Sequence, residues 1–458
     1  LATTDSLAIT DSLAVTTHPS PLTTHQADRI SVDSKEKSDS LLAAQKAEAD
    51  SISQYMKREF VPVTSFIHTA ELSNHDHIYQ AYTSPKGLYA DSLYNMRPGG
   101  RYMGSDSIYD QTKLLSLRNT LSIALLEGFN KYAPAGLKAF VTHDLRRFDM
   151  PDLNNDTTYM NRWTEHNVSI GGQLAKSQGS TLHYNLTAEA WVAGEDAGQL
   201  TLDASGDLNF RLFGDTVRLD ALAFMHRTNP TFLQRHYHSK HFWWDHSDMA
   251  KETRTRLEGL FKYEKTNTAL RVAIEEIQNY TYYGMSYDAT STARTNMTAG
   301  VYQESGNINI LTAQLHQNFR LGPLNWENVI TYQNSSNMDV VPLPTWNIFT
   351  NLYLKFRVAK VLGVELGADA TYFSKYYAPD FCPGINQFAI KQNEASKIEL
   401  GGYPFIDVYA NMMLKKVRFF VMMTHVNNGS GNRMRFLAPH YPTNGNVLHF
   451  GVSWPFFN

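Results

Sequence analysis

The sequence predicts an all-β fold: a transmembrane antiparallel β-barrel of about 16 strands, with 14 to 18 as the range. Three observations predict it. From Lys113 to the end, segments of roughly 10–15 residues alternate apolar and polar positions with a period of two, as a strand with two unlike faces does. The connections between these segments run short, long, short, long, as tight turns and longer loops do on the two rims of a barrel. Aromatic residues make up 12% of the 458 residues, which suits girdles at two lipid–water boundaries.

Composition removes several other classes. No stretch of ~20 mostly apolar residues is present, so a helical membrane protein is not expected. Lys and Arg number 41 against 44 Asp and Glu, which leaves no basic footprint for nucleic acid. Cys382 is the sole cysteine, so no internal disulfide can form, and it lies too far along the chain to anchor a lipoprotein. The opening LATTDSLAITDSLAVTT has no basic or apolar leader region. Either the protein is cytoplasmic or this sequence is already mature. At ~150 residues per domain the length suggests about three domains. The alternation argues instead for two parts: a tail, residues 1–57, and a barrel, residues 58–458.

The elements follow in order. Residues 1 to about 34 are rich in Ser, Thr, Asp and His and repeat TDSLA at Thr4–Ala8 and Thr10–Ala14. Such a segment buries too little apolar surface to offset its ordering entropy, and disorder is expected. Lys35 to Lys57 shifts to helix formers, and a short helix is expected. Residues 58–112 look irregular. Strands are then expected near 115–127, 136–148, 161–175, 180–193, 198–212, 215–228, 252–264, 267–281, 305–319, 323–334, 344–358, 361–375, 398–414, 416–427 and 445–457. Two ends on one side of the membrane require an even number, so a sixteenth strand is sought between about 58 and 105. QLTLDASGDLNFRL is the clearest segment: Leu200, Leu202, Ala204, Leu208, Phe210 and Leu212 face one side, and Thr201, Asp203, Ser205, Asp207, Asn209 and Arg211 the other. The alternation slips around Asn307–Phe319, which suggests a bulge. Short connections fall near 213–215, 264–267, 320–323, 358–361 and 414–416. Long ones fall near 228–251, 281–304, 335–343, 376–397 and 428–444. A soluble sandwich or propeller also alternates, but strands of 12 or more residues are long for one, where about five or six is usual.

In a barrel the polar face lines the lumen, because a lipid-facing Arg or Lys near the midplane costs ~2–4 kcal/mol. The in-strand charges therefore name the expected lumen wall: Lys138, Asp144, Arg146, Glu189, Asp203, Asp207, Arg211, Arg218, Asp220, Glu258, Lys262, Arg271, Glu275, Lys355, Arg357, Glu365, Asp369 and Asp407. Both signs are nearly balanced. The wall suits a polar channel without strong ion selectivity, or charges that pair across the lumen and close it.

One long loop carries RHYHSKHFWWDH, with His236, His238, His241, Asp245 and His246 close together. Imidazoles suit transition metals. The expectation is nevertheless no metal site, with this segment decorating the surface or closing over the pore. The runs Tyr280–Tyr283 and Tyr372–Tyr377 sit at strand ends, where a girdle belongs. No H-E-x-x-H, G-x-S-x-G or P-loop motif occurs. An enzyme is not expected and no cofactor is implied, although His143 with Asp144 is the kind of acid/base pair an outer-membrane enzyme would use.

The last strand, NVLHFGVSWPFFN, resembles the C-terminal insertion signal of bacterial outer-membrane proteins through His449, Gly451, Trp454 and Phe456. That resemblance implies insertion by a barrel-assembly machine into a Gram-negative outer membrane. Three stretches resemble the β-barrel porins of Bacteroidota: Asn119–Phe148, Gly401–Asn427 and the terminal strand. The resemblance implies a porin-like outer-membrane protein and brings no catalytic residues. The triplets around Ser6, Ser12, Ser40 and Ser51 (Asp, Ser, then Leu or Ile) resemble the O-glycosylation signal of Bacteroidota periplasmic proteins; they also fit a merely polar tail. The expected function is passive diffusion of small hydrophilic solutes, with tail and C-terminus in the periplasm. The alternatives are a non-catalytic accessory barrel subunit of a larger outer-membrane assembly, secretion or uptake complex, and an outer-membrane enzyme. Expected partners are outer-membrane lipid, the assembly machinery and, for the accessory reading, other outer-membrane subunits.

Overall fold

A strand with one apolar and one polar face keeps both satisfied only if its neighbours pair in the same phase, since a one-residue slip would turn every side chain over. The computed structural model obeys this constraint across the sheet, with register shifts where β4 meets β5 and where β9 and β10 extend past their neighbours. It describes residues 35–56, 64–83, 87–98, 101–102, 107–127, 135–155, 157–212, 214–289, 294–394, 397–431 and 435–455.

Sixteen long strands form one antiparallel sheet: β1 (Thr64–Ala81), β2 (Ile108–Leu125), β3 (Gly136–Asn154), β4 (Thr157–Lys176), β5 (Leu182–Ala193), β6 (Leu200–Leu212), β7 (Asp215–Thr228), β8 (Glu252–Tyr263), β9 (Thr268–Ala289), β10 (Arg294–Leu321), β11 (Leu324–Ser335), β12 (Trp346–Val358), β13 (Leu362–Phe373), β14 (Phe405–Leu414), β15 (Val417–Thr424) and β16 (Val447–Ser453). Each pairs with the next in sequence. The sixteenth strand sought between 58 and 105 is β1. Among the described residues no register joins β1 to β16, and Phe66 and Phe450 on these edges are 81% and 78% exposed. Hydrocarbon leaves no backbone group unpaired, so in a bilayer these two edges need each other.

The connections separate into two rims. One carries the connections 126–135, 177–181, 213–214, 264–267, 322–323, 359–361 and 415–416. Left-handed backbone shapes these turns: Ala359 and Lys360 have φ of 50° and 63° and are closed by the Val361 amide on the Val358 carbonyl at 3.2 Å, successive positive φ values that suit strand twist. The other rim carries four long connections, 82–107, 229–251, 374–404 and 425–446, and four shorter ones, 155–156, 194–199, 290–293 and 336–345. The long loop expected at 281–304 is instead strand. β9 and β10 run on past their neighbours and pair as far as Ala289 and Arg294. The bulge lies at its membrane-side root: the register steps from Gln278–Asn307 to Tyr280–Glu304, leaving one extra residue in β10, with Asn279 in the left-handed region.

Outside the sheet, α1 (Lys35–Met56) is a regular helix. Ser40 and Ser51 lie within it, each hydroxyl donating to a carbonyl three residues earlier. Ser6, Ser12 and Phe456 fall outside the described residues.

Candidate functional site

The cross-strand registers place all eighteen in-strand charges named above on a single face. The opposite face carries Leu121, Leu257, Ile274 and Leu352, all exposed; large apolar side chains in that number face lipid rather than water. The charged face is the concave one. Arg118 on β2 reaches Glu189 on β5 at 3.5 Å, with two strands between them, which only an inward curve allows.

On this inner wall most charges are neutralised by neighbours. Arg146 meets Asp144 at 2.7 Å and Asp196 at 2.9 Å. Arg256 meets Glu258 at 2.6 Å and Glu275 at 3.0 Å, Arg254 adds a second contact to Glu275, and Arg271 closes on Glu258 at 3.1 Å. Asp220 holds Arg218 at 2.5 Å and Lys262 at 2.9 Å. His183 pairs with Asp207 and His226 with Asp203, both at 2.9 Å. Lys355 meets Glu365 at 3.5 Å, and Lys138 lies over the Phe140 ring. Arg211 and Arg357 stand one residue inside the short-turn rim. Asp369 and Asp407 face each other across β13 and β14, and the His425 amide donates to Asp407 at 2.7 Å. Against β4–β8 the wall borders a cavity of about 620 Å³, lined by Gln173, His183, Asp207, Arg218 and Glu258 among others.

The long-loop mouth is covered. Three connections and the extended ends of β9 and β10 meet there in one apolar cluster containing Tyr89, Phe232, Tyr237, Phe242, Trp244, Met285, Tyr287, Met297, Cys382 and Ile385. Segment 229–251 supplies its centre: α2 (Phe232–Arg235), then a small hairpin pairing 236–238 with 243–245. Phe232 stacks on Phe148 of β3 at 3.8 Å between centroids, and His238 stacks on Trp243 at 3.8 Å. Lys240 is fully buried; its amide donates to Asp110 at 2.9 Å and its ammonium to the Ser107 carbonyl at 2.7 Å. Tyr237 donates to the Gly384 carbonyl at 3.1 Å. Asp380, also fully buried, accepts from the Tyr287 hydroxyl at 2.8 Å and contacts His440 at 3.1 Å. Burial pushes the Cys382 thiol up to about 12, so it stays a thiol at neutral pH.

Several expectations are corrected here. The histidine-rich segment does not decorate the surface; Tyr237, His238, Phe242 and Trp244 are buried. His236 and His238 share the Asp245 carboxylate at 2.8 and 3.1 Å, while His241 lies against the Asp91 carbonyl. Among the described residues no group of three ligands suits a metal. His143 and Asp144 are adjacent in β3 and so point to opposite faces; His143 stacks on His166 instead. Tyr280 and Tyr282 pack with Ile308 and Val340 above the belt, and Tyr376–Tyr377 pair with Glu399–Leu400 in a loop. Clearer girdle pairs are Phe319–Trp326 and Tyr332–Trp346, near the two ends of β11. Sequence reasoning missed Arg118, Glu165, Arg254 and Arg256 on the wall, and Asp196, Arg235 and Lys240 in connections. The first four carried the same signal as the others, an in-strand charge in phase with the polar face.

A sixteen-stranded antiparallel sheet with an apolar convex face and a charged concave face defines a membrane-spanning β-barrel of the channel or transporter class. Residues 22–458 match the model of a family described as "Putative porin", and the chain belongs to that family. No curated protein matches the sequence. Among solved structures it is similar to the ferric enterobactin receptor of Pseudomonas aeruginosa (11% identity, TM-score 0.56, covering 85% of this chain and 59% of that one). It is also similar to the siderophore receptor PirA of Acinetobacter baumannii (12%, 0.54, 85% and 60%) and to the copper transporter OprC (12%, 0.52, 85% and 64%). The chain thus spans about 60% of the length of these barrels. The likeness is one of fold, an outer-membrane barrel.

Proposed function

We propose that the protein is an outer-membrane channel for passive diffusion of small hydrophilic solutes. The observation that carries this reading is the inner wall: polar along its length, with most charges neutralised in pairs. Such a wall hydrates a path for polar solutes without holding an ion of either sign tightly, and it sieves by width. A barrel of about 16 strands is wide enough for an aqueous lumen. The long-loop rim faces outward and the short turns face the periplasm, as in other outer-membrane barrels. Liposome swelling tests the reading. Vesicles carrying the protein should admit neutral sugars and zwitterionic amino acids at rates ordered by size; vesicles as tight as protein-free controls would count against it. A second reading is an accessory subunit of a larger outer-membrane complex. It is favoured by α1, whose described side chains are nearly all exposed and so available to dock elsewhere. Native mass analysis after gentle extraction separates the two.

A further inference from the structure

We infer that segment 229–251 is the gate of this channel: a preformed lid latched across the long-loop mouth by side-chain contacts, chief among them Arg235 to Glu165. The inference rests on the channel reading above. It begins from where the lid is rooted and where it is held. Its roots are the ends of β7 and β8, Thr228 and Glu252. Its anchors lie elsewhere on the rim. Arg235 donates to Glu165 on β4 at 2.7 Å. His238 meets the Pro151 carbonyl on β3 at 3.0 Å. Lys240 is held at β2 by Asp110 and Ser107. Tyr237 reaches Gly384, in the connection between β13 and β14. Strands 2 to 4, 7 to 8 and 13 to 14 are spread around a ring of sixteen, so the lid crosses the opening rather than lying on its edge.

How the lid is attached sets it apart from the rest of the cap. Connection 374–404 is fixed by backbone pairing, with Ile390 and Lys391 in parallel register with Gly284 and Met285 of β9. The lid keeps its own shape internally. Gln234 and Thr231 form a capping box on α2, residues 236–238 pair with 243–245, and the His246 amide donates to the Arg235 carbonyl. Among the described residues it makes a single backbone–backbone bond outside itself, from the Leu93 amide to the Lys240 carbonyl at 2.8 Å; its other polar anchors each involve a side chain, the Lys240 amide on Asp110 and the Ala250 amide on Gln303 among them. A unit that is internally paired and so sparsely tied by backbone can leave as a body, with the chain at its two ends as hinges. The Arg235–Glu165 contact is the latch because the partners' side chains are only 15% and 5% exposed. Glu165 also lies 3.8 Å from Arg146, so the wall retains a counter-charge when Arg235 departs.

The test is single-channel recording on the full chain in planar bilayers. The cysteine variant R235C/E165C, in a C382A background, is compared before and after a short bismaleimide joins the two new thiols, with mass confirming the link. E165Q is recorded in parallel. Heat-modified mobility on gels confirms that each variant is folded. Before linking, the cysteine variant and E165Q should open at least tenfold more often than wild type. After linking, openings should fall below the wild-type frequency. An equal opening frequency before and after linking would overturn the gate while leaving the channel reading intact. Bilayers that stay sealed with wild type, E165Q and the unlinked variant alike would overturn the channel reading, and the gate with it.

Discussion

Glu275 shows what single residues contribute to the wall. Its side chain is 5% exposed and holds both Arg254 and Arg256. Replacing it by Ala takes the carboxylate from Arg254 and leaves Arg256 with Glu258, and hydrogen bonds to charged partners are worth ~1.5–3 kcal/mol each. E275A should lower unfolding free energy by about 2 kcal/mol in urea titrations, with anion permeability rising as Arg254 is released. A change in stability below about 0.5 kcal/mol would mean the contacts are screened. In the cap, burial holds His241 below the usual imidazole range and Lys240 beside it adds to this, against an opposing hydrogen bond to the Asp91 carbonyl. For Asp245, burial pushes the carboxyl up, but hydrogen bonds to His236 and His238 outweigh it and leave it low. The signs agree. Below about pH 6.5 an opened lid takes up a proton at His241 that the closed lid refuses. Lower still, protonation of Asp245 also favours the open form. His241 and Asp245 therefore favour opening as pH falls, while Asp110 under Lys240, pushed up to about 6 by burial, works the other way. Acidification from pH 8 to 5 should quicken hydrogen exchange over residues 229–251 more in wild type than in H241Q; equal responses in the two proteins would refute the role of His241.

The strands were legible in the sequence and the cap was not, and the reason is locality. Period-two alternation writes the face of each residue directly into its neighbours, and the lipid penalty on charge keeps the pattern clean. β6 to β8 and β11 to β13 could therefore be read within a few residues. β1 hid because its outward face carries His68, Asn74 and Asp76 among apolar residues, which blurs the alternation. The cap joins residues far apart in sequence, Lys240 with Asp110 and Tyr237 with Gly384, and no local pattern encodes such contacts. The rim turns can be tested by element. Ala359 and Lys360 both sit at positive φ, which costs a non-glycine residue roughly 1–2 kcal/mol where it is strained. Replacing the pair by Asn-Gly, the preferred residues for this turn, should stabilise the barrel by about 1 kcal/mol, seen as a higher temperature of gel-mobility conversion. An unchanged or lower temperature would mean the turn is not rate- or stability-limiting.

At the scale of the whole molecule, a mean hydropathy of −0.37 describes no single environment. It averages an apolar convex belt with a charged concave wall, long polar connections and a polar N-terminal region. The central claim is that this wall conducts small polar solutes beneath a cap that can part. The most direct measurement is current through purified protein in planar bilayers, with insertion verified independently. Stepwise increments with near-equal cation and anion permeability, more frequent in E165Q than in wild type, are the predicted result. A bilayer that stays sealed at full incorporation of both proteins would contradict it.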